Sequence, residues 1–215
     1  GTTADQPETA AAGSHGEVHV VSRVVGFKKI RFYTNENVGS GELDLPEQQM
    51  HTTAWWLTLP AALMAALPFA ADDRRDGVNG LAHGMRTVAQ LLLMCDRQDL
   101  GVSVDTESRQ APESPEEPRL FIYDNYPGGI GFSAPLFEVQ DRLIAASADL
   151  IGGCGCERGC PSCVGPIGEI GPMGKTVALS PVADARRSAT SRSPTAPRSL
   201  ATARSGGSSS SIAAT

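Results

Sequence analysis

From residue 17 to residue 59 the chain alternates apolar and polar positions at a strand-like period. The run EVHVVSRVVGFKKIRFYT is dense in Val, Ile and aromatic residues, which suits half-buried β-strands. NENVGSGELDLP supplies turn chemistry, and MHTTAWWLTL returns to β-branched and aromatic residues. The breaks are too short for crossover helices, so three or four antiparallel strands are expected here.

The period then lengthens. PAALMAALPF opens with Pro60 at a plausible first helical position and reads as a short helix. Over 76–95, Val78, Leu81, Met85, Val88, Leu92 and Met94 recur at near-helical spacing, with Asp76 as the expected cap. DLGVSV is a short strand, TESRQAPESPEEP an acidic surface loop, and RLFIYD a compact buried strand. PGGIG turns the chain into a helix expected over 133–151. The pattern fades at both ends: 1–16 reads as a disordered lead-in, 17–178 as one domain, and 179–215 as a low-complexity disordered tail of Ser, Ala, Arg, Thr and Pro. The fold class expected is α+β, an antiparallel sheet with packed helices.

Length and charge constrain this modestly. A chain of 215 residues buries one core and a tail. The net charge of −6 weighs against a free-standing nucleic-acid binder without excluding a local basic patch. The longest apolar run, 61–71, is too short for a membrane span and contains Pro68. No secretory signal precedes the domain, so a cytoplasmic setting without membrane contact is expected.

The densest chemistry is CGCERGCPSCVG, which holds four of the five cysteines as Cys154, Cys156, Cys160 and Cys163. Two disulfides within ten residues would close very small loops in a chain without secretion signals. A redox pair at Cys160 and Cys163 lacks the helix that should follow it. An iron–sulfur cluster suits four thiolates, although the spacing does not match the usual ferredoxin runs. Structural zinc suits them too: Gly153, Gly155, Gly159 and Gly165 permit tight turns, and Arg158 is placed to offset the charge of a Zn²⁺–thiolate site. The pattern favours a metal, zinc ahead of iron. Cys95, at the end of an apolar helix, reads as a buried small hydrophobe.

Other motifs are weaker. GGIGFSA imitates a dinucleotide fingerprint but runs into the cysteine cluster where a second strand is needed, leaving a structural turn or a helix N-terminus able to hold a phosphate oxygen. GPMGKT imitates a phosphate loop with Glu169 where its first glycine belongs. His51 and His83 read as surface or packing residues. Asp96 and Asp99 suit capping and turn roles, and a hydrolase using them or Asp124 is a remote reading. Lys28, Lys29 and Arg31, beside aromatic residues, would suit a nucleic-acid backbone contact or simply a solvated strand face.

In order, GFKKIRFYT, MCDRQDLGV, IYDNYPGGIGFS, CGCERGCPSCVGP and GPMGK resemble the C-terminal zinc-binding domain of MrfA-type helicases, superfamily 2 DEAD/DEAH-box-like enzymes linked to DNA repair. The resemblance spans about residues 17–175. It implies Cys154, Cys156, Cys160 and Cys163 as zinc ligands, and a parent that translocates 3′→5′ on single-stranded DNA with ATP. This domain would pack against the helicase motor domains and help frame the strand's path, ATP binding only in the motor. No motor motif is present, so the chain reads as a C-terminal piece of a larger protein or a truncated gene product, without catalysis of its own. The family continues after GK with an apolar helix, whereas TVALSPVADARRSATSRSP turns toward a Ser/Arg/Pro tail. A stand-alone zinc-stabilised protein-interaction module is the competing class.

Overall fold

A continuous antiparallel ladder joins the first long strand to the fourth. The computed structural model describes residues 11–31, 33–34, 36–105, 117–165, 171, 173–189, 203–204 and 210–213. Strand β1 (Ala12–Ser22) pairs with β4 (Gln48–Thr58) from Ala12↔Thr58 to Ser22↔Gln48. On the far side of β4 lies β6 (Arg119–Asp124), and outside it β5 (Leu100–Asp105), both antiparallel. The order is β5-β6-β4-β1, continued past β1 by two short strands, Ser210–Ala213 and Ala203–Arg204.

Between β1 and β4 the chain leaves this sheet. β2 (Gly26–Ile30) and β3 (Asn37–Glu42) pair only with each other and form a separate hairpin, with a register shift at Lys29/Ile30. The three or four strands expected here are four, divided between two sheets.

The main sheet buries both faces, which is why WWL and LFIY read as unbroken apolar runs. Trp55, Leu57, Leu120, Ile122 and Leu100 point to the helices, whereas Ala54, Trp56, Phe121, Tyr123, Val18 and Val20 form a second cluster behind them. The Trp56 and Phe121 rings lie 5.7 Å apart in that second cluster.

Helix α1 (Ala61–Ala66) is the short helix expected after Pro60. Helix α2 (Ala71–Leu93) buries Val78, Leu81, Met85 and Val88. It starts a turn before Asp76, so Asp76 is not its cap. The N-cap is Ala70 without a side-chain bond, and Asp72 and Asp73 occupy the first turn, where negative charge favours the helix dipole. Asp76 instead accepts a hydrogen bond from the Gly171 N–H at 3.0 Å.

The helix expected over 133–151 is two: α3 (Ser133–Glu138) and α4 (Gln140–Gly153), separated at Val139. A further helix, α5 (Gly174–Ala189), runs past residue 178, into the stretch read as tail, and buries Val177 and Ala178. Strand β1 likewise begins at Ala12, inside the stretch read as lead-in. The two short strands at 203–204 and 210–213 also fall in the stretch read as a disordered tail, whereas 1–10, 190–202, 205–209, 214–215 and 106–116 of the acidic loop lie outside the described residues.

Two glycines set how closely the helices meet. A Cβ on Gly77 would stand 2.3 Å from Val177 Cγ1, and one on Gly84 2.8 Å from the Cys163 carbonyl oxygen. Side chains at either position would hold α5 or the cysteine loop off α2.

Candidate metal centre

The cysteine loop begins where α4 stops. Cys154 has extended geometry (φ −69°, ψ 128°) and leads away from the helix end. Gly159, at φ +120°, then reverses the chain, and Gly165, at φ +110°, ends the loop. Those two of the four glycines carry the left-handed backbone that favours glycine; Gly153 closes α4, and Gly155 has no positive φ.

Between the two reversals, Cys160-Pro161-Ser162-Cys163 is a tight turn. The Cys160 carbonyl accepts the N–H groups of Cys163, Val164 and Gly165 at 3.0, 3.2 and 3.1 Å, and the Cys160 N–H donates to Cys163 Sγ at 3.3 Å. Cys163 and Val164 are buried in the main core, whereas the other three cysteines are half-buried.

The four Sγ atoms converge. Cys154–Cys160 and Cys160–Cys163 are 3.6 Å apart, Cys156–Cys163 3.5 Å, and all four lie within 4.8 Å of one another. All four are free thiols, so the disulfide reading fails. A tetrahedral ion with Zn–S bonds of about 2.3 Å needs sulfur edges of roughly 3.8 Å, and this set matches. A four-iron cluster puts each sulfur on a different iron and spreads them more widely than one shared ion does.

Electrostatics lead the same way. Burial, reinforced by the Cys156 thiol, pushes Cys163 up to about 12. The Ser162 backbone N–H, with help from Cys154 and Cys163, brings Cys160 down to about 7. Burial acts to raise Cys156, but hydrogen bonds from Cys154 and Cys163 outweigh it and leave that thiol lowered. Four thiolates packed this closely repel one another, and a divalent cation removes the conflict.

Two side chains from outside the loop grip it. Lys175 Nζ, at the start of α5, donates to the carbonyls of Cys154 and Cys156, each at 2.6 Å. His83, on α2, meets the Pro161 carbonyl at 2.7 Å through Nε2. A carbonyl only accepts, so that nitrogen carries the proton. Arg158, expected to balance the site's charge, is exposed and bonds to nothing among the described residues. Lys175 belongs to the GPMGKT string that imitates a phosphate loop, and that imitation hid its role.

The YDNYPGGIG turn has a structural explanation. Oδ2 of buried Asp124 accepts the N–H groups of Ile130, Gly131 and Phe132 at 2.7, 2.8 and 3.2 Å, and the Thr53 hydroxyl at 3.2 Å. The amides that a phosphate would need are held by the protein's own carboxylate. Asp99 likewise acts in a turn, accepting the Asp96 N–H at 2.8 Å and the Tyr126 hydroxyl at 2.9 Å. Cys95 is half-buried against the main core, its thiol raised by burial and then by Asp99. His51 stacks on His19 across the strands, ring centroids 4.4 Å apart.

Lys28 and Lys29 lie exposed on β2, and Arg31 just beyond it pairs with Glu36 at 3.3 Å. No described contact brings the three to the cysteine loop. Among the described residues no helix is long and apolar enough to cross a membrane.

Comparison with known proteins agrees with this geometry. Residues 81–164 match the family model described as the MrfA Zn-binding domain. Over 151 residues the chain is 34% identical to the uncharacterized ATP-dependent helicase YprA of Bacillus subtilis, covering 70% of this chain and 19% of that protein. The crystal structure of the DUF1998 helicase MrfA bound to DNA aligns with a TM-score of 0.60 and 31% identity, over 83% of this chain and 23% of that one. A stretch of 45 residues is 38% identical to an uncharacterized protein of Methanocaldococcus jannaschii, covering 21% of this chain and 40% of that protein. The chain spans about a fifth of the length of the two helicases it matches. Residues 81–164 thus carry an MrfA-type zinc-binding domain, and Zn²⁺ is the ion its four cysteines suit.

Proposed function

We propose that this domain is the zinc-binding accessory part of an ATP-dependent DNA helicase of the repair type, working 3′→5′ in the cytoplasm, with its motor outside these residues. The observation that carries the reading is the four-cysteine site lying inside the segment that matches the MrfA Zn-binding domain. The helicase YprA and the DNA-bound MrfA structure support the parent activity. The zinc is structural in this reading. It fixes the loop between α4 and α5, while Asp96, Asp99 and Asp124 serve turns, so the chain alone performs no hydrolysis.

Contact with the single strand falls to the β2–β3 hairpin. Lys28 and Lys29 are exposed without ion-pair partners among the described residues, Phe27 offers a half-exposed ring beside them, and Arg31 is available at the cost of its exposed pair with Glu36. Fluorescence anisotropy with a single-stranded oligonucleotide over a salt series tests this. Lys28→Gln with Lys29→Gln is expected to weaken binding and to flatten the log–log salt slope by about 1.4. No binding by the wild-type chain even at low salt would remove the DNA contact.

A specific observation favours docking in that event. Val24, Val25, Phe27, Val38 and Leu45 are exposed on or beside the hairpin, more apolar surface than an isolated hairpin usefully carries. On this second reading the same hairpin seats against a protein partner, the motor domains first among them.

A further inference from the structure

We propose that Lys175 is a positioning residue for the zinc site, and that zinc occupancy and the seating of α5 on α2 are one coupled equilibrium. The inference rests on the zinc reading of the cysteine loop and adds a residue and a linkage to it.

The argument begins with the two carbonyls. Cys154 and Cys156 form the first arm of the loop, which leaves α4 in extended geometry. The second arm is a self-contained turn closed by three backbone hydrogen bonds to the Cys160 carbonyl. The Gly159 N–H reaches the Cys156 thiol, but among the described residues no backbone N–H binds the carbonyls of the first arm. Lys175 supplies the missing restraint, spending two of its three donors on the carbonyls of Cys154 and Cys156. The half-buried ammonium also brings a positive charge to a Zn²⁺–thiolate group that is formally −2.

Lys175 in turn is held from α2. The Gly171 N–H binds Asp76, and Val177, one turn into α5, packs against Gly77 at a separation that leaves no room for a side chain. On the loop's other arm, α2 reaches Pro161 through His83 and approaches Cys163 at Gly84. Cysteine loop, α2 and α5 thus form a closed ring of contacts, with Lys175 as the only described side-chain bond between the loop and α5. When the first arm loses its ion, the two carbonyls are free to turn away, and α5 loses the bond that orients its first turn. By linkage, whatever loosens α5 must loosen zinc.

The test uses the full chain loaded with zinc and a chromophoric chelator in competition. Wild type should hold one zinc. Lys175→Met should lower its affinity by about 10- to 100-fold, the usual consequence of losing an outer-shell partner. Lys175→Arg, which keeps charge and donors, should recover most of that loss, and Arg142→Met, at an exposed cation on α4, should leave zinc affinity unchanged. A purely packing role would not be rescued by the bulkier arginine. Zinc retention by Lys175→Met within about twofold of wild type overturns the proposal while leaving the zinc reading intact. A wild-type chain that binds no zinc overturns both.

Should Lys175→Met fail to fold, hydrogen exchange on the wild type decides. Chelation of zinc should strip protection from the α5 amides at least as early as from β4 and β6. Unchanged α5 protection after zinc removal overturns the coupling.

Discussion

Asp124 sits at the end of β6 with one carboxylate oxygen serving four donors. That is why the glycine-rich turn after it has a fixed shape. Gly128, Gly129 and Gly131 all adopt positive φ (83°, 74° and 93°), which aims successive N–H groups toward one point. Asp124→Asn removes the charge from this buried knot and leaves a neutral amide oxygen, a weaker acceptor, facing the four donors. It should cost about 2 kcal/mol, read as a lower urea midpoint with unchanged zinc content. The motif was legible as a turn, but its anchor was not: a YD followed by PGGIG does not say that the aspartate folds forward onto its own turn. Lys175 shows the same limit. Its string looks like a phosphate loop because glycines and a lysine suit anions generally, whereas its actual partners are carbonyls 21 and 19 residues earlier.

Among the elements, α2 does the most to position the site. Its buried glycines look like helix weaknesses in sequence, since each costs about 1 kcal/mol relative to alanine. Their value appears only when Val177 and the Cys163 carbonyl come within contact of them. Gly84→Ala therefore sets propensity against a clash. The new Cβ would meet the Cys163 oxygen at 2.8 Å and Ile151 Cδ1 at 3.1 Å, so net destabilisation of about 1–2 kcal/mol is expected, together with faster zinc release. Gly152→Ala on α4 has only Leu179 Cδ2 nearby, at 3.7 Å, and should be neutral or stabilising. Paired thermal melts of the two variants measure the difference. The hairpin is the converse case: β2 and β3 were expected as strands and are strands, yet nothing in their alternation announces that they leave the main sheet.

For the whole molecule, a double-faced sheet and a metal-tied corner share the stability. The sheet carries two apolar clusters of its own, whereas the corner of Cys163, Val164 and α5 depends on four thiolates that repel one another without a cation. Binding energy of structural zinc is folding energy, about 10–16 kcal/mol in zinc-finger peptides. The melting temperature should thus climb with free zinc, each tenfold rise above the dissociation constant adding about 1.4 kcal/mol. Calorimetry in zinc buffers checks this, and a midpoint independent of zinc would count against a structural ion.

The order of strands and helices from β1 to β6, the buried strand RLFIYD and the metal-binding character of four cysteines were determined by the sequence alone. Each rests on local spacing: side-chain period, turn residues, and ligands within one short loop. Tertiary structure decided the rest: that β1 finds β4 across an intervening hairpin, that α2 begins before Asp76, and that a helix, α5, forms over Gly174–Ala189 where the sequence read a turn toward a tail. It also decided what CGCERGCPSCVG leans on. Cys163 is placed by a glycine on α2, and the carbonyls of Cys154 and Cys156 by a lysine on α5. Such contacts join residues far apart in the chain, and only the packing of helices against one sheet brings them within reach.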